Sequence, residues 1–144
     1  MYLLDTVVLS ELRKANRNSG VVAWFDGKQD SELFISALTI GEIRRGICQQ
    51  EKVDPIFAGR LSEWLDSILH LYGDRILPIT TAIALEWGNI SARVGNSGAD
   101  NLIAATAKVH HLTVITRNIK HFAATGIEFY NPWRACKKIC VNLR

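Results

Sequence analysis

The sequence has no apolar run that approaches the roughly 20 residues needed to cross a bilayer. Its first residues also lack the basic segment and long apolar stretch of a signal peptide. These two absences predict a cytoplasmic protein that makes no use of a membrane. With 144 residues, 48% of them hydrophobic, the chain is expected to form one domain with a real core.

Cysteine is scarce, and its count excludes a disulfide framework. The three cysteines, Cys48, Cys136 and Cys140, are an odd number, which agrees with a reducing compartment. The pair Cys136 and Cys140 lacks the further ligands that a zinc site needs.

Several motifs of other enzyme classes are absent as well. There is no P-loop and no Gly-x-Gly-x-x-Gly, which argues against a nucleotide cofactor. There is also no Gly-x-Ser-x-Gly nucleophile elbow and no His-Glu-x-x-His zinc motif.

An excess of positive charge is missing from most of the chain. The net charge is +3, but residues 134–144 hold four basic residues and no acid. The remaining 13 basic and 14 acidic residues give residues 1–133 a formal charge of −1. We therefore interpret 134–144 as a frayed basic tail, and a polyanionic partner must be held by local basic clusters.

Short β patterns alternate with helical patterns along the chain. The β patterns are Tyr2–Leu4, Glu32–Ser36, Arg75–Ile79, Thr113–Thr116 and Ile127–Tyr130. This alternation predicts an α/β fold, a three-layer α/β/α sandwich whose central sheet is mostly parallel.

Four polar side chains fall where the predicted strands end or the helices beside them begin. Asp5 follows the first strand directly, and Glu42 lies early in the helix after the second strand. Asp100 stands at the start of the helix before the fourth strand, and Asn118 follows that strand. Because α/β sheets bind ligands at the carboxyl ends of their strands, these side chains are expected to converge at one edge.

Each of the four also has a purely structural explanation. Asp5 and Asp100 fit helix N-caps, Thr39 with Glu42 fits a capping box, and Asn118 fits a turn. Clustered carboxylates repel one another, however, and helix N-termini offset only about 0.3–1 kcal/mol each. A hard divalent cation such as Mg²⁺ would offset more and suits phosphodiester chemistry.

Six stretches resemble a known family in their order and spacing: MYLLDT, ISALTIGEIRRGI, ILPIT, DNLIAATA, TVITRN and NPW. Over residues 1–133 they are similar to PIN-domain proteins, and more narrowly to the VapC-type toxin ribonucleases of bacterial toxin–antitoxin pairs. The resemblance implies a PIN-like nuclease domain, Mg²⁺- or Mn²⁺-dependent cleavage of RNA such as tRNA, a homodimer, and a VapB-like antitoxin that blocks the site.

The resemblance also implies roles for individual residues. Asp5, Glu42 and Asp100 match the family's acidic metal-site positions, and Asn118 matches a fourth position that carries Asp or Asn. Asp5 and Asp100 are expected to ligate the metal directly, and Glu42 to hold or orient a water. Asn118 is expected to hydrogen-bond a carboxylate or a water, and Thr6 to add its hydroxyl.

Basic residues near these positions are candidates for contact with RNA phosphates. Arg44 and Arg45 follow Glu42, Arg117 precedes Asn118, and Lys120 and the pair Arg13–Lys14 are further candidates. The alternative is a solvated helix surface or charge that faces the antitoxin. For the tryptophans, such as Trp133, packing in a core or a dimer is favoured over base stacking.

Two positions depart from the family pattern. Val7 stands where the family usually has Asn, so either the site is looser or Val7 packs under the sheet. His121 stands where the family commonly has Asp, and we interpret it as a surface residue rather than an RNA contact. These departures leave open a catalytically impaired protein that binds RNA or antitoxin without cleaving. The same carboxylates could also serve a phosphatase or a DNA nuclease.

Overall fold

The computed structural model of the protein describes residues 1–134, which form a central sheet of five parallel strands. The strands are β1 (Tyr2–Leu4), β2 (Leu33–Ser36), β3 (Ile76–Leu77), β4 (Thr113–Ile115) and β5 (Phe129–Tyr130). Their order across the sheet is β3-β2-β1-β4-β5. The predicted parallel sheet is therefore confirmed.

Helices connect these strands and cover the sheet. They are α1 (Thr6–Arg13), α2 (Ser19–Asp26), α3 (Ala37–Glu51), α4 (Pro55–Tyr72), α5 (Thr81–Val94), α6 (Ala99–His110) and α7 (Ile119–Ala123). Two short 3₁₀ turns, Asp30–Glu32 and Gly73–Arg75, lead into β2 and β3.

The core has one half on each face of the sheet. Leu3 and Leu4, neighbours in β1, are both fully buried, and they join different apolar clusters. Leu4 packs with residues of α1–α4, whereas Leu3 packs with residues of α5 and α6 and with Phe122 of α7. Because both faces of the sheet are covered, the strands are apolar throughout and do not alternate between apolar and polar residues. The predicted three-layer α/β/α sandwich is therefore confirmed.

Strand β1 lies at the centre of the sheet, with β2 on one side and β4 on the other. From β1 the sheet continues through β2 to β3 on one side and through β4 to β5 on the other, so the strand order reverses at β1. In α/β folds the ligand crevice lies at the carboxyl ends of the strands beside such a reversal. The Asp5 N–H donates to the Ile115 carbonyl at 3.0 Å, which extends the ladder by one residue beyond β1. The residues that follow β1 and β4 therefore lie side by side.

Two predicted helix caps are wrong. Helix α3 begins at Ala37 rather than Thr39, because the Ser36 hydroxyl accepts from the Leu38 N–H and caps the helix earlier. Thr39 is consequently buried inside the helix, and the predicted capping box with Glu42 does not form.

Asp100 is not a cap either. Gly98 is the N-cap residue of α6, and Asp100 lies in the first turn of that helix. The capping explanation therefore fails for two of the three acids and holds for Asp5, whose side chain accepts from the Thr6 N–H.

Within residues 1–134, no helix combines the length and the apolar character needed to cross a membrane. Apart from Arg134, the predicted basic tail with Cys136 and Cys140 lies outside the described residues.

Candidate functional site

Asp5 is the first residue after β1, and its carboxylate is held from two sides. One oxygen, Oδ1, accepts from the Thr6 N–H at 2.8 Å, and the other, Oδ2, accepts from the Thr116 hydroxyl at 2.7 Å. The same Thr116 hydroxyl accepts from the Asn118 N–H at 2.9 Å. Since Asp5 is only 5% exposed, these bonds fix the direction of a nearly buried acid.

Glu42 lies in the second turn of α3 and reaches the same place from that helix. Its Oε1 accepts from the Thr6 hydroxyl at 3.3 Å. Thr6 therefore contacts both acids, Asp5 through its N–H and Glu42 through its hydroxyl. This bridge connects the end of β1 to α3.

Asp100 brings a third carboxylate to this edge of the sheet. Its negative charge raises the pKa of Asp5 and also that of Glu42, so the three acids share one electrostatic neighbourhood. Its Oδ2 lies 2.6 Å from Nδ1 of His121 in α7. The His121 ring is exposed, as expected of a surface residue, but it also contacts a site acid.

Asp5 and Glu42 lie in an environment that disfavours their charged forms. Burial raises the pKa of Asp5 most, and the charge of Asp100 adds to this, against the hydrogen bonds from Thr116 and Thr6 that lower it. Burial likewise raises the pKa of Glu42, followed by the charge of Asp5, whereas Arg45 lowers it. Ionised carboxylates at such a site gain stability when a cation binds between them.

The donor set fits a hard divalent cation, although it does not form a complete cage. Among residues 1–134, no three His, Cys, Asp or Glu side chains form a group that could hold an ion by themselves. Mg²⁺ commonly takes only one or two carboxylates and keeps several waters, so it does not need such a cage. The carboxylates of Asp5 and Glu42, whose pKa values are raised by neighbouring negative charge, are suitable ligands for this kind of binding.

The other predicted residues lie around this cluster in different ways. The Asn118 N–H supports Thr116, while its side chain lines a neighbouring cavity and does not cap α7. Arg45 acts electrostatically on Glu42, and Arg44 is exposed on the same helix. The Arg117 guanidinium lies 5.9 Å from the centre of the Trp133 ring.

Val7 is partly buried and packs against the apolar cluster beneath α1–α4. It also lines the cavity beside Asn118. Packing therefore accounts for the apolar side chain at this position, in agreement with one of the two interpretations of the sequence.

Thr116 was missed by sequence reasoning, although it is fully buried and hydrogen-bonds Asp5. A signal for it was present: Thr116 follows β4 at the same level at which Asp5 follows β1. The contact between His121 and Asp100 had no such signal, because it depends on how α7 packs against α6.

Comparisons with known proteins agree with this fold. The family model described as PIN domain matches residues 2–127. Toxin FitB of Neisseria gonorrhoeae is 38% identical over 140 residues, which covers 92% of this chain and 99% of that protein. A VapC ribonuclease of Sinorhizobium fredii is 36% identical over 140 residues, covering 92% of this chain and 98% of its own.

A solved structure is similar over almost the whole chain. The crystal structure of FitAcB from Neisseria gonorrhoeae matches with a TM-score of 0.84 and 38% identity, covering 93% of this chain and 99% of the other. The family match over residues 2–127 and this likeness lead to the same conclusion: the chain belongs to the PIN domain family.

Proposed function

We propose that the protein is the toxin of a toxin–antitoxin pair and that it cleaves RNA as an Mg²⁺- or Mn²⁺-dependent endoribonuclease. The observation that supports this proposal is that the charge of Asp100 acts on Asp5 and that the charges of Asp5 and Asp100 act on Glu42, although the three residues come from separate parts of the chain. The names of its relatives, a toxin and a VapC ribonuclease, support the same activity.

In this proposal the three acids divide two tasks, holding the ion and orienting the attacking water. Asp5 and Asp100 would hold the ion through their carboxylates, one oxygen of Asp100 being in contact with His121. When bound, the ion polarises a phosphodiester and lowers the pKa of a nearby water. Glu42, whose Oε1 accepts from Thr6, orients the attacking water with its second oxygen.

Other side chains keep these acids in position. Thr116 and Thr6 hold the Asp5 carboxylate, and the Asn118 N–H holds Thr116 in turn. We assign the Asn118 amide side chain and the exposed Arg44, Arg45 and Arg117 to the approaching RNA, where guanidinium groups bind phosphates.

Cleavage of a tRNA pool by the purified protein tests the proposal. We expect cleavage with Mg²⁺ or Mn²⁺, no cleavage in excess EDTA, and no cleavage by Asp5→Asn. Asp66→Asn is the matched control, since Asp66 is an exposed acid of α4, and it should cleave normally. Cleavage that persists in EDTA or survives Asp5→Asn contradicts the proposal.

A second candidate is a catalytically impaired member of the family that binds RNA or antitoxin without cleaving. The contact of His121 with Asp100 favours it, because the imidazole takes one oxygen of a proposed ligand. Calorimetry separates the two: the nuclease binds Mn²⁺ in the micromolar to millimolar range, whereas the impaired protein binds antitoxin and no Mn²⁺.

The partners of the proposed toxin are a VapB-like antitoxin and a second copy of the chain. Apolar side chains that such partners could cover lie on α4, where Ile56 is 75% and Leu71 67% exposed, and on α5, where Leu85 is 68% exposed. Light scattering with and without the antitoxin measures both assemblies. The proposal also places the protein in the cytoplasm, where RNA and antitoxin are found.

A further inference from the structure

We propose that the cavity beside the carboxylates binds one nucleotide of single-stranded RNA, adjacent to the phosphodiester that is cut. This inference rests on the proposed function and identifies where the substrate lies. The cavity, which we call the side cavity, has a volume of about 430 Å³ and is lined by Thr6, Ser10, Lys14, Arg117, Asn118 and Trp133 among others. Its size falls in the usual range of about 300–1,000 Å³ for small-ligand sites.

The side cavity lies beside the three acids and shares Thr6 and Asn118 with their surroundings. Thr6 forms part of its wall and donates to both Asp5 and Glu42. Asn118 forms another part, and its N–H supports the threonine that holds Asp5. A phosphodiester at the acids therefore carries its next nucleotide to the entrance of this cavity.

The walls offer the two kinds of contact that a nucleotide needs. Lys14 and Arg117 are exposed cations that can hold phosphate. The Trp133 ring packs partly on the apolar core and has the Arg117 guanidinium 5.9 Å from its centre, and the exposed part of this pair offers an unpaired base a surface to stack on. Stacking of this kind accepts any base, so the site contributes affinity for single strands more than sequence readout.

A buried acid fixes the arrangement of these cations. Glu11 is only 7% exposed and accepts from the Lys14 ammonium at 2.7 Å and from the Asn18 N–H at 2.9 Å. Hydrogen bonds from Lys14 and Asn18 lower the pKa of Glu11, and the charge of Arg117 adds to this. Glu11 thus neutralises the charge of Lys14 and holds this side chain at the rim. The charge of Arg117 is not offset in this way, so the lining of the side cavity carries a net positive charge.

The test uses a fluorescein-labelled 12-nucleotide oligo(A) RNA in EDTA, so that binding is measured without cleavage. We expect Trp133→Leu to weaken binding by about 5- to 100-fold, the range for a lost stacked base. Arg117→Ala should weaken binding as well, because it removes a phosphate contact. Lys14→Ala should also weaken binding and should flatten the dependence of log K on log salt by about 0.7, the contribution of one phosphate contact in a single strand.

Controls separate stacking from simple charge and from misfolding. Arg60→Ala removes an exposed cation of α4 and should bind as the wild type does. Trp133→Phe retains an aromatic ring and should keep most of the affinity. An abasic strand of the same length should bind weakly to every variant, and Trp133→Leu should leave that binding unchanged.

The inference is overturned if Arg117→Ala, Lys14→Ala and Trp133→Leu bind oligo(A) as tightly as the wild type does. It is also overturned if these variants lose affinity for the antitoxin but not for oligo(A). The outcome is independent of cleavage. If the wild type binds oligo(A) through the side cavity but cuts no RNA, the inference stands and the proposed nuclease fails. If it cuts RNA but the variants bind normally, the nuclease stands and the inference fails.

Discussion

At the scale of single residues, Thr116 connects the ends of two neighbouring strands, β1 and β4. Its hydroxyl donates to Asp5 after β1 and accepts from the Asn118 N–H after β4. Because Thr116 is fully buried, no solvent replaces these bonds if the hydroxyl is lost. The direction of the Asp5 carboxylate therefore depends on a side chain that has no direct part in the chemistry.

Thr116→Val should lower both stability and activity. The Asn118 N–H and the buried Asp5 oxygen lose their partner, which costs about 1–3 kcal/mol of unfolding free energy. RNA cleavage should fall about 10- to 100-fold, as when an outer partner of a metal ligand is removed. Urea unfolding and initial cleavage rates measure the two effects.

Thr106→Val is the control for that prediction. Thr106 is equally buried, but its hydroxyl donates only to the Leu102 carbonyl within α6. The unfolding free energy of this variant should fall by about 1 kcal/mol or less, and the variant should cleave RNA at the normal rate. Equal losses of activity in both variants would contradict the role of Thr116.

The raised pKa of Asp5 predicts how the stability of the fold depends on pH. In the folded protein, burial and the charge of Asp100 raise the pKa of Asp5 above its unfolded value. Protonated Asp5 therefore stabilises the fold below the ordinary Asp pKa, and that contribution is lost as pH rises through the raised value. Without divalent ions, Asp5→Asn should consequently raise the melting temperature at about pH 7 and have little effect at about pH 3.

Thermal melts of the wild type and Asp5→Asn in EDTA at both pH values check this sign. Asn still caps α1 about as well as Asp does, so the cap contributes little to the difference. A variant that is less stable than the wild type at neutral pH would show that ionised Asp5 stabilises the apo fold, which is incompatible with a raised pKa.

At the scale of elements, α2 packs closely on the segment that follows β5. A Cβ added to Gly20, in the first turn of α2, would lie 2.5 Å from the carbonyl oxygen of Pro132. Residues on both sides of this contact, Trp24 and Trp133, pack on the same core. The glycine therefore permits an approach that shapes the wall of the side cavity.

Gly20→Ala should destabilise the protein by about 1–3 kcal/mol, because backbone has to move. Gly88→Ala in α5 is the matched control, since its added Cβ meets nothing within 4 Å. It should stabilise the protein by about 0.5–1 kcal/mol through helix propensity. Denaturant melts measure both, and equal effects would contradict the close contact.

Sequence reasoning recovers the elements well where the signal is local. Asp54 with Pro55 begins α4, and Thr80 caps α5, as their residue types predict. It fails at α3, where both Ser36 and Thr39 are good caps and only the tertiary packing selects Ser36. Strands β3 and β5 are each two residues long, shorter than their patterns predicted, because pairing at the sheet edges ends sooner.

At the scale of the whole molecule, the order of the strands brings the acids together. Asp5, Glu42 and Asp100 are far apart along the chain, and with β1 at the centre of the sheet they lie near enough for their charges to interact. Their position at one edge follows from the shared carboxyl edge of parallel strands, and the cation that they are proposed to share stays a prediction. The contact of Asp5 with Thr116 had a signal in the position of Thr116 after β4. The contact of Asp100 with His121 had none, because it depends on how α7 packs against α6.

Binding of an ion at this edge should stabilise the whole fold. An ion that binds only the folded state adds about 2.7 kcal/mol of unfolding free energy at 100 times its Kd. Mn²⁺ should therefore raise the melting temperature of the wild type at neutral pH. The melting temperatures of Asp5→Asn and Asp100→Asn should hardly change when Mn²⁺ is added. An equal shift in all three proteins would indicate binding elsewhere.

The most direct test of the shared cation is anomalous diffraction from crystals soaked in Mn²⁺. We predict one strong peak about 2 Å from carboxylate oxygens of both Asp5 and Asp100, with Glu42 close enough to reach it through a water. A peak at another part of the surface, or none between these side chains in a fully soaked crystal, would contradict a cation shared by these acids.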